Sequence, residues 1–374
     1  MNITRLASLI IPSMALLTTS PVPTSPAPLP RRDFYVTVTS TAPAMQGREA
    51  KLFVREIAPA GGGAGKGVVL FVHGAGTPAE VAFDVAYQDY SWMEYLARAG
   101  FDVFAMDMTG YGRSTRPPAM DDPCNLSTAQ QAEFVPSKIP QTCAATWTTA
   151  MTTMSSDWDD IGAVVDHLRA ERHVDRVSLV GWSQGGPRAA GYAAQHPDKV
   201  ARLVVLAPAY SRNGATEAPA TPPAMPRGAM TTQSHDEFIA NWDRQVGCPG
   251  QYESGVANAV WREMLASDPV GATWGSGVRR APSVPTWGFN KEVASKMTTP
   301  FLMISGANDK QVAPEHVREL YEDLGSHDKV FIDLACSSHN AMWEKNHALL
   351  FDASREWLER GTAGGATTGM VKRG

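Results

Sequence analysis

The chain has 374 residues, 43% of them apolar and 19% charged, enough to bury one large α/β core or two medium ones. A formal charge of −5 with mixed signs and no basic run excludes a nucleic-acid footprint, and no segment after the N-terminal region approaches the roughly 20 apolar residues of a transmembrane helix. No C-x-x-C, H-E-x-x-H or compact His/Cys cluster is present, so neither a metal nor a cofactor is expected.

Residues 1–30 read as a secretory leader. Arg5 precedes the apolar run Leu6 to Leu17, which is too short to span a bilayer, and the proline-rich Pro21 to Pro30 follows. Such a leader places the mature protein outside the cell or in a periplasm, with no membrane span. If the segment is instead only a disordered tail, the protein stays cytoplasmic. The four cysteines suit an oxidising compartment; Cys124 and Cys143 bracket one proline-containing loop that a bridge between them would pin, whereas four unpaired buried thiols suit a cytosolic chain.

Residues 33–208 and 297–361 read as one globular core. Phe34–Thr39 and Lys51–Ile57 alternate as an early strand pair, and Val68–Val72 is a continuous β-branched and aromatic run of the kind buried on both faces of a parallel sheet. A helix over Tyr90–Arg98, stopped by Gly100, leads to a strand at Val103–Met106. The prolines between Arg113 and Thr153 predict an irregular inserted loop. A helix follows: Ser156 and Asp159 form a capping-box pattern, Asp157, Asp159 and Asp160 suit the positive end of its dipole, and Ile161, Val164, Val165 and Leu168 share one face.

That helix delivers the chain to Arg176–Val180, a strand, and to Gly181-Trp182-Ser183-Gln184-Gly185, after which Gly186–Ala194 suits a closely packed helix. The composition predicts a sharp turn that pushes the Ser183 hydroxyl out of the sheet, because a side chain at Gly181 or Gly185 would collide with the neighbouring strand and helix. Leu203–Pro208 is the next strand. Residues 209–296, rich in proline and holding Trp242, Trp261, Trp274 and Trp287, interrupt the alternation and read as a cap with helices at Asp236–Gln245 and Val256–Leu265. The rhythm resumes with a strand at Phe301–Gly306, a helix at Pro314–Leu324, a strand at Val330–Leu334 and a helix from Asn346 to Arg360 stopped by Gly361; residues 362–374 read as a flexible tail.

A serine hydroxyl needs a base, and the base needs a third group to fix its tautomer and stabilise its charge. His339, a short loop after the last strand, is the best base of nine histidines. Asp309, directly after Phe301–Gly306, is the acid, and the order Ser183, Asp309, His339 is the one this architecture requires. The oxyanion donors are expected from the backbone amides of Gln184 and Ala75, with Gly76 as the weaker candidate for the second. His73 and Gly74 would brace that turn, and Trp182 supports the serine.

These motifs resemble the α/β-hydrolase superfamily of serine hydrolases. Gly181-Trp182-Ser183-Gln184-Gly185 is similar to its nucleophile elbow, His73-Gly74-Ala75-Gly76 to its oxyanion turn, and Asp107 to Ser114 to its D-x-x-G-x-G-x-S stretch. The resemblance implies an eight-stranded, mostly parallel sheet with helices on both faces and a variable cap. It implies a serine esterase that cleaves a small-molecule carboxylic ester through an acyl-enzyme, the cap tryptophans suggesting a hydrophobic substrate. A peptidase or amidase, or a C–C bond hydrolase, would use the same triad. A non-catalytic ligand-binding protein of this fold is the remaining alternative.

Overall fold

The computed structural model describes residues 1, 29–59 and 65–374; the leader expected over residues 1–30 lies almost wholly outside them. The main sheet is built from β1 (Arg32–Thr39), β2 (Glu49–Ile57), β3 (Val68–Val72), β4 (Asp102–Met106), β5 (Val177–Trp182), β6 (Val200–Leu206), β9 (Phe301–Gly306), β10 (Lys329–Leu334) and β11 (Thr368–Arg373). A separate antiparallel pair, β7 (Met230–Ser234) with β8 (Val278–Pro282), lies within the 209–296 insertion. The main sheet runs β1-β2-β4-β3-β5-β6-β9-β10-β11, antiparallel at β1/β2 and β2/β4 and parallel elsewhere.

Period-two alternation sends the two sides of each central strand into two cores. Val69 and Phe71, Val103 and Ala105, Val180 and Trp182, Leu302 and Ile304 face the helices Trp92–Arg98 and His347–Arg360. Leu70 and Val72, Phe104 and Met106, Leu179, Leu203 and Met303 face the helices Met154–Arg172, Gly185–Gln195 and Pro314–Asp323. Burial on both faces is why these strands read as unbroken apolar runs rather than as alternating ones.

Four expectations need correction. The sheet has nine strands, not eight, and the ninth comes from the residues expected to be a flexible tail: β11 pairs in parallel with β10 from Lys329–Thr368 to Leu334–Arg373. The helix before β5 starts one turn earlier than expected, with Thr153 as N-cap in a reciprocal capping box with Ser156. The 113–153 loop is not peripheral, because Met120, Leu126, Phe134 and Met151 share a small core with Met230, Trp274 and Val278 of the insertion. Cys124 and Cys143 are bonded within that loop, at an S–S distance of 2.03 Å. Finally, the insertion's tryptophans are packing groups: Trp242 and Trp274 are fully buried and Trp261 and Trp287 are each 8% exposed, so they give no argument for an apolar substrate.

Candidate active site

The loops after β3, β5, β9 and β10 meet at the carboxyl ends of their strands, the usual position of a site in an open parallel sheet. β5 ends in Gly181-Trp182, and the chain reverses at Ser183, which is held at φ 56°. That left-handed conformation costs an L-residue on the order of 1–2 kcal/mol. It is fixed by backbone bonds from Ser183 N to Leu206 O and from Gly186 N and Ala209 N to Ser183 O, at 2.9–3.0 Å. Close approach explains the flanking glycines: a Cβ on Gly181 would lie 2.4 Å from Gly185 O, and one on Gly185 would lie 2.2 Å from Val72 O.

The turn after β3 touches the serine directly. A Cβ on Gly74 would sit 2.9 Å from the Ser183 Cβ, so only a glycine lets the two loops meet. His73 is fully buried; its Nδ1 donates to Gly74 O at 2.8 Å and its Nε2 accepts from Met108 N at 3.2 Å. Burial, and then the Arg188 charge, push this imidazole well below its ordinary pKa, which keeps it neutral and consistent with those two roles. Among the described hydrogen bonds, the backbone amides of Ala75 and Gln184 donate to no protein group. Ala75 is exposed, and Ser183 is partly so.

The structure brings Asp309 and His339 into contact: His339 Nδ1 lies 2.8 Å from Asp309 Oδ2, with both side chains buried. Asp309 Oδ1 accepts from the amides of Gln311 at 2.8 Å and Val312 at 2.9 Å, which holds the carboxylate in place. Trp182 Nε1 donates to the His339 carbonyl at 2.8 Å, and the two rings lie 5.5 Å apart, so the residue before the serine anchors the histidine loop. Among the described hydrogen bonds none joins the Ser183 hydroxyl to His339 directly. Such contacts often tighten only when substrate binds.

Several supporting residues escaped the sequence reading. Arg188 is fully buried and donates to Asp157 Oδ2 at 2.7 Å, to the carbonyls of His73 and Gly74 at 3.1 and 3.0 Å, and to the Tyr111 hydroxyl at 3.1 Å. One guanidinium thus ties the serine helix to the β3 turn. Burial opposes its charge, yet Asp157 and Tyr111 hold it above its ordinary pKa. Asp157 and Asp160, expected to suit the positive end of the helix dipole, are buried; Asp160 accepts from Thr109 N at 2.8 Å. The signal for Arg188 was its position as the one charge in a helix made mostly of glycine and alanine.

The histidine loop has its own support. Glu344 is buried and accepts from Ser338 N at 2.7 Å, Trp242 Nε1 at 2.9 Å and Gln251 Nε2 at 2.9 Å; burial pushes its carboxyl above the ordinary value against those bonds. Gln245 Oε1 accepts from Lys310 N at 3.2 Å and His339 N at 3.4 Å. Cys248 is bonded to Cys336, three residues before His339. The 209–296 insertion is thereby fastened to both the Asp309 loop and the His339 loop. Nothing in the local sequence of Gln245, Gln251 or Glu344 marks them for this. Among the described residues no group of three or more His, Cys, Asp or Glu side chains could hold a metal ion, and no helix is long and apolar enough to cross a membrane.

The arrangement defines a hydrolase architecture that solved structures share. The monoacylglycerol lipase of Paleococcus ferrophilus matches with a TM-score of 0.50 at 19% identity, over 83% of this chain and 99% of that one. A thermophilic esterase from Thermogutta terrifontis matches at 0.51 and 17% identity, over 87% and 98%, and a putative hydrolase from Bacillus subtilis at 0.52 and 12%, over 88% and 93%. At such identities the likeness is one of fold. No curated protein sequence matches the chain. The sequence profile of the serine aminopeptidase S33 family (Hydrolase_4) matches residues 63–346, and the chain belongs to this family of α/β-hydrolase-fold serine hydrolases.

Proposed function

We propose that the protein is a serine esterase that cleaves a small-molecule carboxylic ester by way of an acyl-enzyme. Ser183 is the nucleophile, His339 the general base and Asp309 the group that orients it. The observation that carries this reading is the buried Asp309–His339 bond anchored to Trp182, next to a serine held at positive φ. In the forward half-reaction His339 takes the Ser183 proton as Oγ attacks the carbonyl, and the Ala75 and Gln184 amides receive the developing oxyanion. His339 returns the proton to the leaving alcohol, then activates the water that releases the acid. Residues 209–296 act as a cap whose Gln245 and Gln251 brace both loops. The two disulfides support an oxidising compartment and, with the leader expected over residues 1–30, export.

The test is a chain-length series of esters, with aminoacyl anilides as the peptidase comparison, run on the wild type and Ser183→Ala together with a fluorophosphonate probe. Wild-type labelling and ester turnover are expected, with turnover in Ser183→Ala lower by a factor of about 10⁴ or more and no labelling. Undiminished turnover in Ser183→Ala would sink the assignment of the nucleophile, and faster cleavage of anilides than of esters would overturn the ester reading.

A further inference from the structure

The arginines at 279 and 280 sit next to each other on β8, so their side chains leave opposite faces of the strand. Arg280 is fully satisfied: it forms a two-pronged bond to Asp268, at 2.9 and 2.8 Å, and reaches Asp121 at 2.8 Å and the Met120 carbonyl. Arg279 is not. Its Nη1 donates to the Ala75 carbonyl at 3.3 Å, its Nε is buried without an acceptor, and among the described residues no carboxylate lies within salt-bridge reach of it. The two fully buried arginines, Arg188 and Arg280, are matched to Asp157 and Asp268, so the half-buried Arg279, with no such partner, is an exception to how this protein pairs its enclosed guanidinium groups. Burial pushes the Arg279 guanidinium down to about 10, opposed only weakly by Tyr111 and by Glu237, which lies beyond salt-bridge reach.

The place of the exception matters as much as its chemistry. A Cβ on Gly76 would fall 1.8 Å from Arg279 Nη1, so the guanidinium packs directly against the turn that offers the Ala75 amide to the reacting carbonyl. Gly74, two residues back along the same turn, touches Ser183, and two residues span at most about 7 Å. Besides the Nη1 bond to Ala75 and the buried Nε, the Nη1 and Nη2 groups keep three N–H donors uncommitted there, in a planar fork that matches a carboxylate.

We infer that Arg279 is a specificity residue that receives a carboxylate of the substrate, so that the preferred ester is a half-ester of a short dicarboxylic acid or an equivalent anionic ester. The inference rests on Ser183 being the nucleophile. It adds that the acyl chain carries a negative charge a few atoms from the scissile carbonyl. A single positive charge suits a single carboxylate, and the free substrate charge completes the pairing that the protein leaves open.

The experiment compares monoethyl succinate, glutarate and adipate with the methyl-ended ethyl esters of the same length, on wild type, Arg279→Gln and Arg279→Lys. For the best chain length the wild type is expected to favour the anionic ester in kcat/KM by roughly 10- to 100-fold, the range of one charged hydrogen-bonded contact. Arg279→Gln should bring that ratio towards one, and Arg279→Lys should keep part of it. A wild-type ratio at or below one, or a ratio that Arg279→Gln leaves intact, overturns the inference even if ester hydrolysis itself is robust. If the wild type neither takes up fluorophosphonate nor hydrolyses any ester, the reading of Ser183 has failed instead. The rise in Tm with glutarate then decides Arg279 alone: a rise lost in Arg279→Gln supports it, and no rise, or an equal rise in both, overturns it.

Discussion

At the scale of single residues, the site depends on charges that water never sees. Arg188 and Asp157 are both fully buried, and the pair supports the two carbonyls of the His73–Gly74 turn. Replacing Arg188 with Met should therefore cost about 3–5 kcal/mol near neutral pH, because Asp157 would be left charged and alone. The direction of the pH dependence follows from the carboxyl. Burial already holds Asp157 above its ordinary pKa while Arg188 pulls it down, so without Arg188 it rises further. A group whose folded-state pKa is raised binds its proton more tightly in the native state, and stability is then lost as pH rises from the unfolded value through the folded one. Thermal melts of Arg188→Met against wild type should show a smaller Tm difference near pH 4.5 than at pH 8. A gap that widens on acidification would contradict the assigned role of Asp157.

The elements divide into those whose residues declare themselves and those that need a partner. β3 and the stretches Leu203–Leu206 of β6, Phe301–Ile304 of β9 and Val330–Ile332 of β10 are continuous buried apolar runs, as a strand buried on both faces must be, so they could be read along the chain. β11 could not. Thr368–Arg373 alternates exposed and half-buried positions and contains a glycine, and only the open edge of β10 makes it a strand. Glu356 adds to the docking by accepting from the Gly364 and Gly365 amides and from Arg373, at 2.9–3.0 Å. Removing residues 362–374 should lower Tm by several degrees and expose the β10 edge, increasing aggregation at raised protein concentration. Unchanged Tm and light scattering in the truncated chain would show that the strand contributes nothing.

For the molecule as a whole, one covalent link closes the long loop on itself and a second ties the insertion to the core. Cys124–Cys143 closes 19 residues and Cys248–Cys336 closes 88. Loop-closure entropy values these at about 3 and about 4.5 kcal/mol. The longer link also carries functional weight, since it ends three residues before His339. A Cys248→Ser/Cys336→Ser variant should lose more stability than Cys124→Ser/Cys143→Ser, and it alone should lower kcat towards a neutral ester at temperatures where both remain folded. Equal kcat in the two variants, measured well below Tm, would separate the disulfide from the histidine loop.

Local rules govern the part of this protein that can be read along the chain. Strand periodicity, glycines where backbone must approach backbone, and the order of Ser183, Asp309 and His339 after successive strands are all written within a few residues of each feature. The rest arises only when distant segments meet in the fold. The fold placed Arg188 under the turn, carried Gln245, Gln251 and Cys248 to the histidine loop, and set Arg279 beside Ala75 with no carboxylate within salt-bridge reach among the described residues. These are meetings between residues separated by tens to hundreds of positions. Whether a buried polar group is satisfied depends on what the fold sets opposite it, and no local pattern records that.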